Sequence, residues 1–191
     1  RVCDRRTPRN DRRNFMSIIE KKSKIFVAGN NGLLGSALVR LLRKKGYSNL
    51  LLKDHSTLDL TCQEKVAAFF KSEKPEYVFL AAALTGGILA NSSWPAQFIY
   101  KNLQIQNNVI HSARASGVKK LLFIACSCIY PRDCPQPIKE EYLLTGPLEL
   151  TSEPFAIAKI AGIKMCQSYN KEYGTNFISA VPATIYGPDD N

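Results

Sequence analysis

Short apolar runs alternate with longer segments of helical periodicity along most of the chain. Strands that alternate with helices indicate βαβ units and a parallel sheet. The pattern therefore predicts an α/β fold, with a doubly wound sheet, helices on both faces and the strand order 3-2-1-4-5. The predicted strands span residues 24–28, 49–53, 77–81, 120–125 and 176–181, and the predicted helices span 33–45, 61–72, 95–116 and 155–173.

Local signals mark the ends of several elements. Gly46 follows the first helix and favours the left-handed conformation that ends helices. Pro95 suits a first helical turn, and Ser92 or Ser93 is a candidate N-cap in front of it. The longest irregular stretch, residues 130–154, is rich in Pro and Glu, and loops of that length usually serve a function.

A glycine-rich turn joins the first strand to the first helix. Glycines permit a tight turn and let the backbone approach a pyrophosphate, while the free N–H groups of the helix attract its charge. Because a strand precedes the turn and a βαβ pattern follows it, the turn predicts a dinucleotide site in a Rossmann-type domain. A ligand-free strand-to-helix turn is the alternative. The turn reads Gly29, Asn30, Asn31, Gly32, Leu33, Leu34 and Gly35.

The end of the second strand bears on which dinucleotide is bound. An acidic residue there would bind the ribose 2′-hydroxyl of NAD, whereas basic groups accommodate the 2′-phosphate of NADP. Lys53 and His55 favour NADP(H), and Asp54 between them points the other way. A solvated turn remains the alternative for His55.

Composition and charge describe an ordinary globular chain, with 45% hydrophobic and 22% charged residues. No run approaches the roughly 18 consecutive apolar residues of a membrane helix, so no membrane partner is expected. The two His, His55 and His111, are far apart, and a cluster of Cys126, Cys128 and Cys134 lacks a second ligand pair. No metal site is predicted.

Residues 1–15 contain six Arg, two Asp and little to bury, and they supply +4 of the net charge of +10. We expect a non-native or disordered basic tail there, a natural start at Met16, and a single dinucleotide-binding domain over residues 16–191. A nucleic-acid-binding arm is the alternative, although the charge elsewhere does not argue for nucleic acid. The absence of an export signal and of disulfide-like cysteine spacing predicts reduced thiols in the cytoplasm.

Five ordered motifs give the chain a specific resemblance. They read VAGNNGLLGSA at 27–37, FLAAALTGGILAN at 79–91, PAQFIYKNLQIQNNVIHSA at 95–113, LLFIACSCIYP at 121–131 and EPFAIAKIAGIKMCQSYNKEYG at 153–174. Over residues 24–191 the chain resembles the GDP-L-fucose synthase family of extended short-chain dehydrogenases/reductases. The resemblance covers only the cofactor-binding half of such an enzyme, so it implies that the C-terminal substrate domain is missing.

The resemblance also implies a reaction and residue roles. Enzymes of this family epimerise and then reduce GDP-4-keto-6-deoxymannose with NADPH. Lys159 matches the Lys that binds the nicotinamide ribose and lowers the pKa of a catalytic Tyr. Cys128 matches the Cys of the epimerisation acid/base pair. The remaining cofactor contacts implied by the resemblance are Ala81, Ala82, Ala83, Pro182 and Ile185.

Three positions depart from the family pattern. Phe155 stands at the position of the catalytic Tyr and has no proton to donate. Cys126 stands at the position of the catalytic Ser and is a weaker hydrogen-bond donor, a loss for which Ser127 could compensate. The catalytic His would lie after Asn191. Core packing is the alternative role for Cys126, Cys128 and Phe155.

The resemblance implies a GDP-sugar substrate and a homodimer when the protein is full length. By itself the fragment is expected to be inactive. Two other functions remain open: a different NAD(P)-dependent nucleotide-sugar epimerase or dehydratase, and a non-catalytic or decayed dinucleotide-binding relative, which Phe155 and Cys126 would favour.

Overall fold

The computed structural model describes residues 19–188. The predictions for residues 1–15, Met16 and the segment after Asn191 lie outside these residues. The strands are β1 (Ile25–Ala28), β2 (Leu50–Leu51), β3 (Tyr77–Leu80), β4 (Lys120–Ile124) and β5 (Phe177–Ala180), and the helices are α1 (Leu33–Lys44), α2 (Gln63–Glu73), α3 (Ile88–Ser93), α4 (Pro95–Ala115) and α5 (Glu153–Tyr173).

All strand pairs in the five-stranded sheet are parallel, which confirms the predicted α/β class. The predicted strand order was wrong, because the strands lie in the order β2-β1-β3-β4-β5. β3 pairs with β1, since its four buried residues need a neighbour on both sides, whereas β2 pairs over two half-buried residues and suits an edge. The winding therefore reverses after β2, and the crevice where it reverses lies between β1 and β3.

Helices cover both faces of the sheet, as predicted. Alternate residues of β1 enter different cores: Phe26 packs with residues of α2, α4 and α5, while Val27 packs with Val39 and Leu42 of α1. This alternation follows from the two-residue period of a strand. The face of the sheet that packs on α1 is less covered near β5, where Ile178 is 37% exposed.

The element ends differ from the prediction mainly around α4. Ser92 and Ser93 are not its caps, because they belong to α3, a short helix that the sequence did not predict. Trp94 takes the cap position, and Pro95 is the first helical residue, as expected. Gly46 has a φ of +82°, the left-handed conformation predicted for it, and follows the C-cap Lys45. Within residues 19–188 no helix is both long and apolar enough to cross a bilayer.

Candidate functional site

A cavity of about 870 Å³ opens at the carboxyl ends of β1, β3 and β4. This is where a doubly wound sheet places its ligands, since the winding reverses between β1 and β3. The segments that follow β1, β2 and β3 line it together with residues of α4, the end of β4 and α5. Its lining includes residues 29–35, 53–55, 81–87 and 124–126, together with Lys101, Ile105, Phe155, Lys159 and Ile185.

Two glycines of the turn are required by the protein's own packing. Gly29 has a φ of +84°, and a Cβ there would lie 2.7 Å from the backbone nitrogen of Ala82, so the turn packs directly on the segment after β3. A Cβ on Gly35 would lie 1.9 Å from the carbonyl oxygen of Gly29. A side chain at either position would separate the turn from its neighbours.

Gly32 is different, because a Cβ there would meet only the carbonyl oxygen of Gly29, at an ordinary 3.6 Å. Its backbone is extended, with a φ of −79°, so neither strain nor crowding within the protein requires glycine. The space above Gly32 belongs to the cavity that the turn lines. The turn therefore fits a group that approaches the backbone from outside, as a pyrophosphate would.

The N-terminus of α1 faces the same space. No side chain caps the helix, and its first turn contains no acidic residue. The first N–H groups of a helix have no partners within it, and the helix dipole gives this end a partial positive charge. The turn and the helix together form an environment suited to an anion.

The loop after β2 forms one wall of the cavity. Lys53 is half-buried, while His55 is exposed and lies 3.8 Å from the Asp59 carboxylate. The Asp54 carboxylate accepts hydrogen bonds from the Ser56 hydroxyl and the Thr57 N–H, both at 2.8 Å. These bonds hold the pKa of Asp54 below its usual value. One oxygen of the Asp54 carboxylate is thus engaged in its own turn.

Ala81, Ala82 and Ala83 line the cavity, as the resemblance implied. The chain beyond them is fixed by Asn102, a residue that the sequence analysis missed. Its buried amide accepts a hydrogen bond from the Leu84 N–H at 2.9 Å and donates to the Leu84 carbonyl at 3.0 Å. An Asn at a buried helical position was the available signal, because a buried amide needs partners. Lys101 and Ile105 of α4 also line the cavity and were also missed.

Lys159 is the most deeply buried charged group of the site, at 5% exposure. Its Nζ donates a hydrogen bond to the Ile124 carbonyl at the end of β4, at 3.0 Å. Burial lowers the pKa of Lys159 to about 8, against the opposing influence of Cys126 and Cys128. A buried cation whose Nζ makes one hydrogen bond to protein retains further donors for a ligand in the cavity.

Phe155 lies one helical turn before Lys159 and lines the same cavity. The Lys159 Nζ is 5.6 Å from the centre of its ring. The ring packs edge-on against Phe98, with centroids 6.2 Å apart. Phe155 therefore lies in the cavity beside a buried cation, and its side chain carries no proton to give.

The segment after β4 carries Cys126, Ser127 and Cys128. Cys126 is half-buried and lines the cavity, whereas Cys128 is half-buried against the core and Ser127 is exposed, both outside the lining. Hydrogen bonding with Cys128 and the charge of Lys159 lower the pKa of Cys126, and hydrogen bonding with Cys126 and burial raise that of Cys128. Of the two residues implied near the C-terminus, Ile185 lines the cavity and Pro182 does not.

A second cavity, of about 1020 Å³, lies between α2, α4 and α5. None of the segments at the carboxyl ends of the strands reaches it. Lys71, His111 and Tyr169 are among its lining residues. The long loop over residues 130–154 contributes to neither cavity. Within residues 19–188 no three His, Cys, Asp or Glu side chains converge on a common point.

The sequence profile of the NAD dependent epimerase/dehydratase family matches residues 25–191. The chain belongs to this family. The match covers the turn, the alanine segment, Cys126, Phe155 and Lys159, which are the parts that form the first cavity.

Individual relatives confirm the resemblance to GDP-L-fucose synthases. The chain is 60% identical over 174 residues to "Putative GDP-L-fucose synthase 2" of Arabidopsis thaliana, covering 91% of this chain and 53% of that protein. It is 49% identical over 170 residues to the GDP-L-fucose synthase of Escherichia coli strain K12, with 89% and 53% covered. A GDP-mannoheptose C4 reductase from Campylobacter jejuni with NADP bound matches at a TM-score of 0.88 and 51% identity, with 91% and 55% covered. The chain spans about half the length of the curated relatives it matches.

Proposed function

We propose that this chain is the NADP(H)-binding half of an enzyme that epimerises and reduces GDP-4-keto-6-deoxymannose, as GDP-L-fucose synthases do. The observation that carries the proposal is the open space over Gly32 at the N-terminus of α1, with Lys159 in the same cavity. The 60% identity to a putative GDP-L-fucose synthase supports the substrate class. Homodimerisation and a cytoplasmic location of the whole enzyme belong to the same proposal.

The choice of NADP(H) over NAD(H) rests on the loop after β2, which forms one wall of the cavity. Lys53 supplies positive charge there, and His55 lies beside it in the lining, while one oxygen of the Asp54 carboxylate is bound to Ser56 and Thr57. A 2′-phosphate gains from the Lys53 cation. The bound NADP of the structurally similar heptose reductase agrees with this choice.

A nicotinamide bound here would supply the hydride for the ketone carbon. Lys159, which donates to the Ile124 carbonyl, would hold the ribose hydroxyls with its remaining donors, and its charge would favour anions that develop nearby. Cys128 would exchange the protons at the carbons beside the ketone, a role that requires its thiol, which lies outside the cavity lining, to turn toward the substrate. Phe155 packs the wall but donates nothing, so protonation of the product oxygen passes to water, Cys126 or Ser127.

Titration of the chain with NADPH and with NADH tests the cofactor assignment. We expect tighter binding of NADPH, and Lys53→Glu should narrow or reverse that preference, because it removes a phosphate partner and adds a hydroxyl acceptor. Lys164→Glu is the matched control, an equal change of charge on an exposed position of α5 outside the cavity. Equal affinity for both dinucleotides in the unmutated chain would contradict the assignment.

A non-catalytic dinucleotide-binding protein is the second candidate. Phe155 favours this candidate, because it cannot act as a general acid. A positioned general acid contributes about 10²- to 10⁴-fold to the rate of such a reduction. Single-turnover oxidation of bound NADPH by the keto-sugar separates the two candidates. Slow oxidation that Phe155→Tyr accelerates by about tenfold or more supports an enzyme with an altered acid, whereas no oxidation in either protein supports the binding role.

A further inference from the structure

Cys126 and Cys128 form a cysteine pair at the wall of the cavity. Cys126 is the N-cap and Cys128 the second residue of the 3₁₀ turn Ser127–Ile129 that follows β4, so only Ser127 separates them along the chain. Both are half-buried, and Cys126 lines the cavity, which opens to solvent. A soluble thiol reagent that enters the cavity can therefore reach Cys126, and a second thiol lies two residues further along the same turn.

The surroundings give the two thiols different roles. Hydrogen bonding from Cys128 and the Lys159 charge lower the pKa of Cys126, and backbone N–H groups of the following turn act in the same direction. Hydrogen bonding and burial raise the pKa of Cys128, which therefore keeps its proton. A thiolate is the nucleophile in thiol–disulfide exchange, so the accessible member of the pair is also the reactive one.

We propose that Cys126 and Cys128 are a redox-active dithiol that reacts with small disulfides and closes to an intrachain disulfide at the wall of the cavity. The co-reactant is a low-molecular-weight disulfide, RSSR. Cys126 is the attacking residue, Cys128 is the resolving residue, and Lys159 is a positioning residue that supplies charge.

The chemistry proceeds in two exchanges. The Cys126 thiolate attacks one sulfur of RSSR, which forms a Cys126–SR bond, breaks the S–S bond and releases RS⁻. Once Cys126 is in the mixed disulfide it no longer raises the pKa of Cys128, which gives its proton to the released RS⁻. Cys128 then attacks the Cys126 sulfur, which forms the Cys126–Cys128 bond and releases the second RS⁻. This RS⁻ takes up the proton that Cys126 had released to water, so the pair is oxidised by two electrons, RSSR is reduced to two RSH, and a second small disulfide is not needed.

This reaction does not depend on the proposed enzyme activity, because no substrate or dinucleotide takes part in it. If NADPH fills the cavity, it should slow the oxidation, since Cys126 lines the cavity and Lys159 would be engaged. Oxidation without protection by NADPH would count against the cofactor proposal and leave the dithiol intact. Absence of oxidation would overturn the dithiol and leave the cofactor proposal intact.

The test is mass spectrometry of the full chain after incubation with glutathione disulfide. In the unmutated chain we expect a loss of two hydrogens that maps to a peptide linking Cys126 and Cys128. Cys128→Ser should instead accumulate one glutathionyl group on Cys126, because the resolving thiol is gone. Cys126→Ser should leave Cys128 unmodified, and Cys134→Ser, a half-buried cysteine in the next loop, is the control that should behave as the unmutated chain.

The rate of the first exchange gives a second measurement. Lys159→Gln should slow glutathionylation of Cys126 about tenfold in the Cys128→Ser background, while Lys159→Arg, which keeps the charge, should restore much of the rate. Mapping of the modification in the unmutated chain needs no variant to fold. If that modification maps to Cys62 or Cys134 instead, or if Cys126→Ser reacts at the unmutated rate, the proposal is wrong.

Discussion

On the α5 side of the cavity, one residue, Phe155, determines which chemistry is available beside Lys159. They lie four residues apart on α5, so both point into the cavity from the same side of the helix. The Lys159 Nζ lies 5.6 Å from the Phe155 ring centre, close enough to act on a charge placed there. The packing and the cation that a catalytic Tyr would need are present, and the hydroxyl is absent.

Phe155→Tyr should place a hydroxyl beside Lys159, and its titration reports whether Lys159 is charged at high pH. Because the pKa of Lys159 is about 8, Lys159 is mostly neutral where an ordinary Tyr titrates. We therefore expect the new hydroxyl to titrate within about half a unit of its pKa in Phe155→Tyr combined with Lys159→Met. Ultraviolet difference titration against the parent chains isolates the added Tyr from the eight natural ones. A hydroxyl that titrates a full unit or more lower with Lys159 present would show that Lys159 keeps its charge at high pH.

At the scale of the element, the strand–turn–helix unit of β1 and α1 contains glycines that are favoured for different physical reasons. Gly35 is required by contact with the Gly29 carbonyl oxygen, whereas Gly32 faces the cavity with room for a methyl group. The spacing of the three glycines is visible in the sequence, but it does not separate these reasons. The difference depends on which atoms of the folded turn lie above each Cα.

This difference predicts opposite effects of two equivalent substitutions. Gly35→Ala should lower the free energy of unfolding by about 3 kcal/mol or more, because backbone must move to admit the methyl group. Gly32→Ala should leave it within about 0.5 kcal/mol but weaken NADPH binding at least about tenfold, because the methyl group occupies ligand space. Urea unfolding and NADPH titration of both variants provide the measurements. A stable Gly35→Ala chain, or unchanged NADPH binding by Gly32→Ala, would contradict this account of the turn.

At the scale of the whole molecule, the buried charge of Lys159 links the stability of the domain to pH. Its pKa is about 8 in the folded chain, below the value of 10.5 for an ordinary Lys. Below pH 8 the group is protonated in both states, so the folded state bears the full cost of the buried charge. As pH rises from about 8 to 10.5 the unfolded chain holds more protons, and the folded state gains stability.

Lys159→Met should therefore stabilise the domain at neutral pH, by about 2 kcal/mol after allowance for the lost hydrogen bond to Ile124. The advantage over the unmutated chain should shrink when unfolding is measured near pH 9.5, because Lys159 is then mostly neutral in the folded state. Lys164→Met, at an exposed position of α5, is the control and should show no such pH dependence. An advantage that grows with pH would mean that Lys159 is not buried as a cation.

The sequence by itself determined the α/β class, the parallel sheet and the family, because these follow from local periodicity and from motifs that are contiguous in the chain. It also placed Gly29, Lys53, Phe155 and Lys159 on segments that do meet at one cavity. Their individual roles stay predictions. Such residues can be found from sequence since each follows a strand or lies on a helix whose direction the βαβ pattern fixes.

Only the tertiary structure decided the strand order, since β2 and β3 are both apolar and which of them lies at the edge of the sheet depends on packing across the whole sheet. It also revealed Asn102, whose hydrogen bonds join α4 to a loop 18 residues away, and it placed Cys126 and Lys159 in the wall of one cavity. These features depend on distances between segments remote in sequence. Burial lowers the pKa of Lys159 for the same reason: surrounding apolar groups from β4 and α5 exclude water only once the chain is folded.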